Sequence, residues 1–375
     1  MEFSVVVLPG DGVGPEVVAE GLKVLKAIGE TFGHHFQLSH GSIGGIAFDQ
    51  EGAALPQRTL ELCRACDAIL FGAVGDPKYE DPKAKVRPEL GYGLIRLRKE
   101  LGLFANLRPV RLFSALVNST NLKPEVVEGV DFVIVRELTG GLYFSEPKGI
   151  RQTSEGREAI DTLIYSEKEI KRIVRVGFEL ARTRQRKLTS VDKFQILRSS
   201  DLWREIASEL ALEYPDVQLE HMHVDACGMR IIQRPVEFDV IVTENLFGDI
   251  LSDVASMLAG SMGMMPSASL AGIPQKGARL FGLYEPIHGS SPNRAKLDMA
   301  NPIATILSVA MMLRHSFGLT TEAKIVEDAV DEVLKEGYRT YDIMSEGKMK
   351  AGTKFIGDLI AEKTRRLSKL ESPAQ

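Results

Sequence analysis

A chain of 375 residues exceeds the size at which one hydrophobic core usually stops growing, so two domains, or two lobes sharing one sheet, are expected. Its 46 Lys and Arg against 51 Asp and Glu leave a formal charge of -5, which gives no footprint for nucleic acid or an anionic membrane and points to a small polar substrate. Three cysteines, Cys63, Cys66 and Cys227, are too few and odd in number for a disulfide framework, so a reducing cytoplasm fits best.

In chain order, Met1 to Leu8 combines an acidic residue with a short apolar run and reads as a first strand rather than a targeting peptide. The turn Gly10-Asp11-Gly12-Val13-Gly14-Pro15 follows it like a dinucleotide fingerprint. Its spacing is not G-x-G-x-x-G, however, and Pro15 removes an amide donor, so a Rossmann site is disfavoured. Val17 to Phe32 reads as an amphipathic helix. Cys63 and Cys66 lie late in a second helix running from Leu55 towards Cys66, whereas redox motifs normally open one. Ala68 to Phe71 and Phe132 to Val135 read as strands, and the capping box Ser166-Glu167-Lys168-Glu169 starts a helix towards Arg184. Gly72 to Gly93 and Met264 to Gly282 lack periodicity and read as long surface loops, and the tail Arg365 to Gln375 as a fraying end. The alternation predicts an α/β architecture with a largely parallel sheet. No stretch is long enough to span a bilayer.

The most informative segment is Asn245 to Asp253, which follows the apolar run Asp239 to Thr243 and places Asp249 and Asp253 one helical turn apart. Two ionised carboxylates at i and i+4 repel by roughly 0.2–0.5 kcal/mol unless something positive lies between them. Oxygen ligands on a rigid element suit Mg2+ or Mn2+; the competing reading is that Asp249 caps the helix. Arg136, Lys193 and Asp225 likewise follow strand-like runs, where open α/β sheets bind ligands. The planar forks of Arg98, Arg108 and Arg136 match carboxylates and could hold a dicarboxylate. His221, His223 and Asp225 share a strand face and could in principle bind zinc, without further ligands at obvious spacing. The P-loop pattern is absent, and Glu285 to Asn293 has the small and polar residues that could wrap an adenosine.

These motifs, Gly10 to Glu16, Arg136 to Phe144, Val191-Asp192-Lys193, Asn245 to Asp253 and Glu285 to Pro292, together resemble the isocitrate/isopropylmalate (β-decarboxylating) dehydrogenase family along nearly the whole chain. The resemblance implies a two-domain α/β fold with a large mixed sheet flanked by helices, not a Rossmann fold. It assigns residues 1–103 and 260–375 to a coenzyme-binding domain and 104–259 to a second domain with the dimer interface. It also implies that Asp225, Asp249 and Asp253 hold Mg2+ or Mn2+, and that Arg98, Arg108 and Arg136 grip the substrate carboxylates. Lys193 and Tyr143 match the catalytic pair: Lys193 takes the hydroxyl proton through water, hydride passes to the nicotinamide, and Tyr143 protonates the carbon left after CO2 departs. Glu285, His288, Gly289, Ser290, Ser291, Pro292, Asn293 and Asn301 match the NAD site. Lys193 and Asp225 come from the neighbouring subunit in this family, so the resemblance implies a homodimer.

Leu94 and Ile95 occupy places where an apolar pocket favours isopropylmalate, giving 4-methyl-2-oxopentanoate, over isocitrate; homoisocitrate and tartrate or D-malate remain open. A more remote alternative is a Mg2+-dependent phosphoryl-transfer enzyme or a nucleotide binder. Three departures stand out, the first being a Glu89 to Leu94 stretch slightly longer than the usual family spacing, which leaves open which acidic residue faces the nicotinamide. Phe194-Gln195 replaces the usual Ala-Asn after Lys193, and Asn293-Arg294 replaces the Asp that repels a 2′-phosphate, so NADP stays open beside NAD.

Overall fold

The structure, a computed structural model, describes residues 1–80, 90–275 and 277–371. Its strands are β1 (Glu2–Gly10), β2 (His35–His40), β3 (Ala68–Ala73), β4 (Ala105–Arg111), β5 (Asp131–Glu137), β6 (Gly149–Thr153), β7 (Gly156–Ile160), β8 (Lys187–Asp192), β9 (Gln218–His223), β10 (Val240–Thr243), β11 (Pro266–Leu270) and β12 (Gly282–Pro286). Ten of them form one sheet in the order β2-β1-β3-β12-β11-β4-β5-β10-β8-β9, and β6 with β7 forms a separate hairpin. The outer pairings are parallel, as the β/α alternation predicts. The three central ones, β12–β11, β11–β4 and β4–β5, are antiparallel, so the sheet is mixed.

The inner parallel strands β3 and β10 read as unbroken apolar runs, as expected where both sheet faces are covered; Val240, Ile241 and Val242 are fully buried. Strands from residues 2–73 and 266–286 fill one end of the sheet, and strands from 105–243 fill the other, meeting where β11 pairs with β4. The helix Ile303–His315 is buried from Ile303 through Leu313, apolar on all sides because other elements surround it. The capping box is present: Ser166 Oγ accepts from Glu169 N, and Glu169 Oε2 accepts from Ser166 N.

Several expectations need correction. Met264 to Gly282 is not a surface loop throughout, since Pro266–Leu270 is a fully buried strand. Its serines are tied sideways, with Asn106 Nδ2 donating to Ser267 Oγ (2.7 Å) and Ser269 Oγ (3.0 Å). Gly72 to Gly93 is likewise not all loop: β3 runs to Ala73, helices cover Pro77–Glu80 and begin again at Leu90, and residues 81–89 lie outside the described residues. The helix bearing Cys63 is Gln57–Arg64, so Cys66 falls just beyond it. Burial pushes the Cys63 thiol up to about 12 and the Cys66 thiol up to about 11, which makes both poor nucleophiles. The tail does not fray at Arg365 either, because the last helix runs Thr353–Glu371.

Candidate active site

The helix Asn245–Ser256 is capped by Glu244, whose Oε1 accepts from Phe247 N (2.7 Å) and Oε2 from Leu246 N (3.1 Å). Asp249 is therefore not the cap, and it is free to act from the helix face it shares with Asp253. The positive charge required between two carboxylates one turn apart is present. Arg136 Nη1 bonds Asp249, and Arg108 Nη1 lies 3.4 Å from Asp249 and 3.8 Å from Asp253. Arg136 can lie across the helix because residue 248 is glycine; a Cβ there would stand 2.7 Å from Arg136 Cγ.

Both guanidiniums are buried and held from several sides. Arg136 donates through Nε (2.9 Å) and Nη2 (2.7 Å) to Asn245 Oδ1, and Asn245 Nδ2 donates to Gly140 O (3.1 Å). Arg108 donates through Nε to Asn106 Oδ1 (2.8 Å) and through Nη1 to Ser252 Oγ (2.5 Å). Burial, together with Arg108 nearby, pulls Arg136 down to about 10, and burial lowers Arg108 as well. For Asp249 burial pushes up, but Arg136 and Arg108 outweigh it and hold the carboxyl below its ordinary value. Asp253 shifts the other way because burial outweighs Arg108. Tyr143 Oη donates to Asp249 Oδ2 (2.8 Å), and burial, with Asp249 beside it, raises the phenol to about 12.

Arg98 forms a third cation close enough to depress both other arginines. Its Nη2 donates to Glu285 Oε1 (2.5 Å), while its Nε is buried without a partner among the described residues. A cavity of about 180 Å3 lies here, walled by Leu94, Arg98, Arg108, Ser267 and Glu285, with His288 and Gly289 at its edge. Leu94 lines it; Ile95 does not. His288 and Gly289 also border a cavity of about 540 Å3, with Ser291, Arg294, Asn301, Tyr341 and Asp342. Burial lowers the His288 imidazole, and its Nε2 has no hydrogen-bond partner among the described residues. Ser290 O accepts from Val13 N (2.8 Å), and a Cβ on Gly12 would meet that carbonyl at 2.0 Å, so the Gly10–Pro15 turn packs backbone to backbone against this loop. Asp11 fills the turn itself, accepting from Gly45 N (2.8 Å), Ile46 N (2.9 Å) and Gly75 N (3.0 Å). Pro292 and Asn293 sit in a single 3-10 turn ending at Arg294, whose guanidinium lies over Tyr341, 4.8 Å from the ring centre.

Lys193 and Asp225 find each other instead, Nζ to Oδ1 at 2.7 Å, and neither bonds Tyr143, Asp249 or Asp253. Among the described residues no group of three His, Cys, Asp or Glu is placed to share a metal. One chain thus offers two of the three expected aspartates, hard oxygen donors on one helix face that fit half of a Mg2+ or Mn2+ site. The zinc reading fails on the same ground: His221 Nε2 lies 3.0 Å from Ser208 Oγ, and His223 stacks on Phe194. Sequence reasoning missed Glu244, Asn106, Ser252, Tyr341 and Asp342. Only Glu244, a carboxylate directly before the helix, carried a readable signal.

Residues 4–360 match the isocitrate/isopropylmalate dehydrogenase family. The chain belongs to that family. Its relatives include a 3-isopropylmalate dehydrogenase from Dehalococcoides mccartyi, 60% identical over 96% of this chain and 99% of that one. Another, from Aquifex aeolicus, is 52% identical over 98% of each. Among solved structures, isocitrate dehydrogenase from Methylococcus capsulatus superposes with a TM-score of 0.83 at 35% identity, over 97% of this chain and 99% of that one. The mixed sheet and helical layers are thus those of the isocitrate/isopropylmalate dehydrogenases.

Proposed function

We propose that this protein oxidatively decarboxylates 3-isopropylmalate to 4-methyl-2-oxopentanoate, reducing NAD, in the leucine biosynthesis of the cytoplasm. The observation that carries the reading is the convergence of Arg98, Arg108 and Arg136 beside the Asp249–Asp253 helix face, in a chain whose full-length relatives bear that enzyme's name. A phosphoryl-transfer enzyme has no use for this arrangement together with Lys193 and Tyr143. No helix among the described residues is long and apolar enough to cross a membrane.

Asp249 and Asp253, with Asp225 of a second copy, would hold Mg2+ or Mn2+; Glu285, the loop His288 to Asn293 and Asn301 would hold NAD. When bound, the cation polarises the substrate's hydroxyl and carbonyl oxygens and the coenzyme accepts the hydride. The chain's own groups do the rest. Arg98, Arg108 and Arg136 orient the two carboxylates, and Leu94 offers the isopropyl group an apolar wall. Lys193 of the second copy takes the hydroxyl proton onto Nζ through water. Tyr143, its phenol raised to about 12, stays protonated at neutral pH and delivers its proton to the carbon that loses CO2. Residues 1–103 with 260–375 would act as one lobe, carrying Arg98 and the coenzyme loop, and 104–259 as the other, carrying Arg108, Arg136 and the helix face.

The coenzyme has a second reading, NADP, because Asn293 lacks the charge that repels a 2′-phosphate and Arg294 stands beside it. A nicotinamide absorbance assay with 3-isopropylmalate, Mg2+ and each coenzyme tests both points. The expected result is turnover with a higher kcat/KM for NAD. A higher value with NADP overturns the coenzyme assignment, and no turnover with any 2-hydroxy diacid overturns the reaction.

A further inference from the structure

Lys193 and Asp225 come from two separate junctions, the loop after β8 and the first turn of the helix Val224–Gln233 after β9. The residues around Lys193 are fixed on every side. Arg204 grips Asp192 with both arms of its fork, Nε to Oδ2 at 2.8 Å and Nη2 to Oδ1 at 2.9 Å, and Asp192 is 1% exposed. Asp192 Oδ1 also accepts from Phe194 N (3.1 Å), and Lys193 N donates to Ser200 Oγ (3.1 Å). The Phe194 ring then links the two junctions. The Arg204 guanidinium lies 3.8 Å from its centre, and the His223 ring stacks on it at 5.4 Å between centroids and 8° between planes. His223 pairs with Asp192 in the β8–β9 register and stands two residues before Asp225. Its Nδ1 is buried without a hydrogen-bond partner among the described residues, and the Phe194 ring packs against its face.

We propose that Phe194, stacked with Arg204 and His223, is a positioning residue that presents Lys193 and Asp225 as one preset unit. A free lysine side chain samples many rotamers, and fixing one costs entropy at the moment of reaction unless the backbone and partner are already set. Phe194-Gln195 stands where the family resemblance commonly has Ala-Asn after the lysine. The inference rests on the reading that Lys193 is the base and Asp225 a metal ligand.

The test is Phe194→Ala against Phe194→Tyr, each in the wild-type and the Lys193→Met backgrounds. Phe194→Ala is expected to lower kcat by roughly 10- to 100-fold, the loss that a misplacement of about 1 Å can produce. KM for 3-isopropylmalate should move far less, and Phe194→Tyr should recover most of the turnover. In the Lys193→Met background, with Mn2+ saturating in both variants so that the weakened metal site is filled, Phe194→Ala should lower the residual rate no further. Mn2+ titration of the resting enzyme should show affinity weakened by roughly 10-fold, as for the loss of a ligand's support. Wild-type kcat and Mn2+ affinity in Phe194→Ala overturn the proposal, as does an equal loss in both backgrounds, which marks simple support of the fold. If Phe194→Ala does not fold, Arg204→Lys, which keeps the charge and loses the fork, takes its place with the same readouts. A wild-type enzyme without turnover on any 2-hydroxy diacid defeats the functional reading instead, and the Mn2+ arm still decides on the stack.

Discussion

Arg136 and Lys193 both stand at the ends of strands that flank β10 in parallel, and both pair with an aspartate, yet they are built in opposite ways. Arg136 is 2% exposed and shared between Asn245 and Asp249, with the Tyr143 ring beneath its guanidinium. The Lys193 side chain is 32% exposed and its partner Asp225 64%. Surface ion pairs contribute about 0–1 kcal/mol, whereas removing one member of a buried pair costs about 3–5 kcal/mol because the other is left uncompensated. The arginine cluster is therefore part of what holds the fold. The lysine pair adds little to it and is available for work beyond its own surface.

The comparison breaks most visibly at Lys193. Lys193→Met should cut kcat by about 100- to 10,000-fold, the span attributable to a general base, while the thermal midpoint stays put; retained turnover would remove the lysine from the chemistry. Arg136→Met reverses the balance. It should lower the free energy of unfolding by about 1–3 kcal/mol, measured by urea titration, because Asn245 Oδ1 loses both its donors while Arg108 still faces Asp249, and an unchanged midpoint would show that Asn245 does not depend on it.

His315 sharpens the contrast by isolating burial from pairing, since its ring makes no hydrogen bond among the described residues. Burial, aided by Arg314, pushes the imidazole down to about 4. Its folded-state value lies below the unfolded one, near 6.5, so the unfolded chain takes up the proton first. The stability it contributes is whole above about pH 6.5 and is lost as the pH falls towards about 4. His288 shifts in the same direction, so His315→Leu should flatten the acid side of the stability curve in part. A curve of unchanged slope between those limits would count against the assignment.

Much of this was legible from residue order. Val240-Ile241-Val242 announced a buried parallel strand, Ser166 and Glu169 a helix start, and the spacing of Asp249 and Asp253 the need for a cation that Arg108 and Arg136 supply within the chain. β11 was not legible, because Pro266-Ser267-Ala268-Ser269-Leu270 has no β-branched or aromatic residue and buries its serines as deeply as its apolar residues. What makes it a strand is its pairing with β12 and β4, and Asn106, more than 150 residues earlier on β4, ties both serines. The last helix hides its extent for the same reason: Arg365 reaches Glu30 and Arg366 reaches Glu332, partners that local polarity does not announce. In the site, residue types at strand ends located the charges. They did not show that Lys193 and Asp225 would hold each other apart from the aspartate helix, which depends on where β8 and β9 lie in the sheet.

Gly248 carries a lesson for anyone wishing to make this enzyme hardier. An interior helical glycine gives up about 1 kcal/mol relative to alanine, so a propensity-guided redesign would mark it for replacement. The added methyl would arrive 2.7 Å from Arg136 Cγ and 2.8 Å from its Cβ, displacing the guanidinium proposed to hold a substrate carboxylate. On the proposed reading of Arg136, a heat-tolerant variant made that way would trade its grip on the hydroxy acid for a stiffer helix.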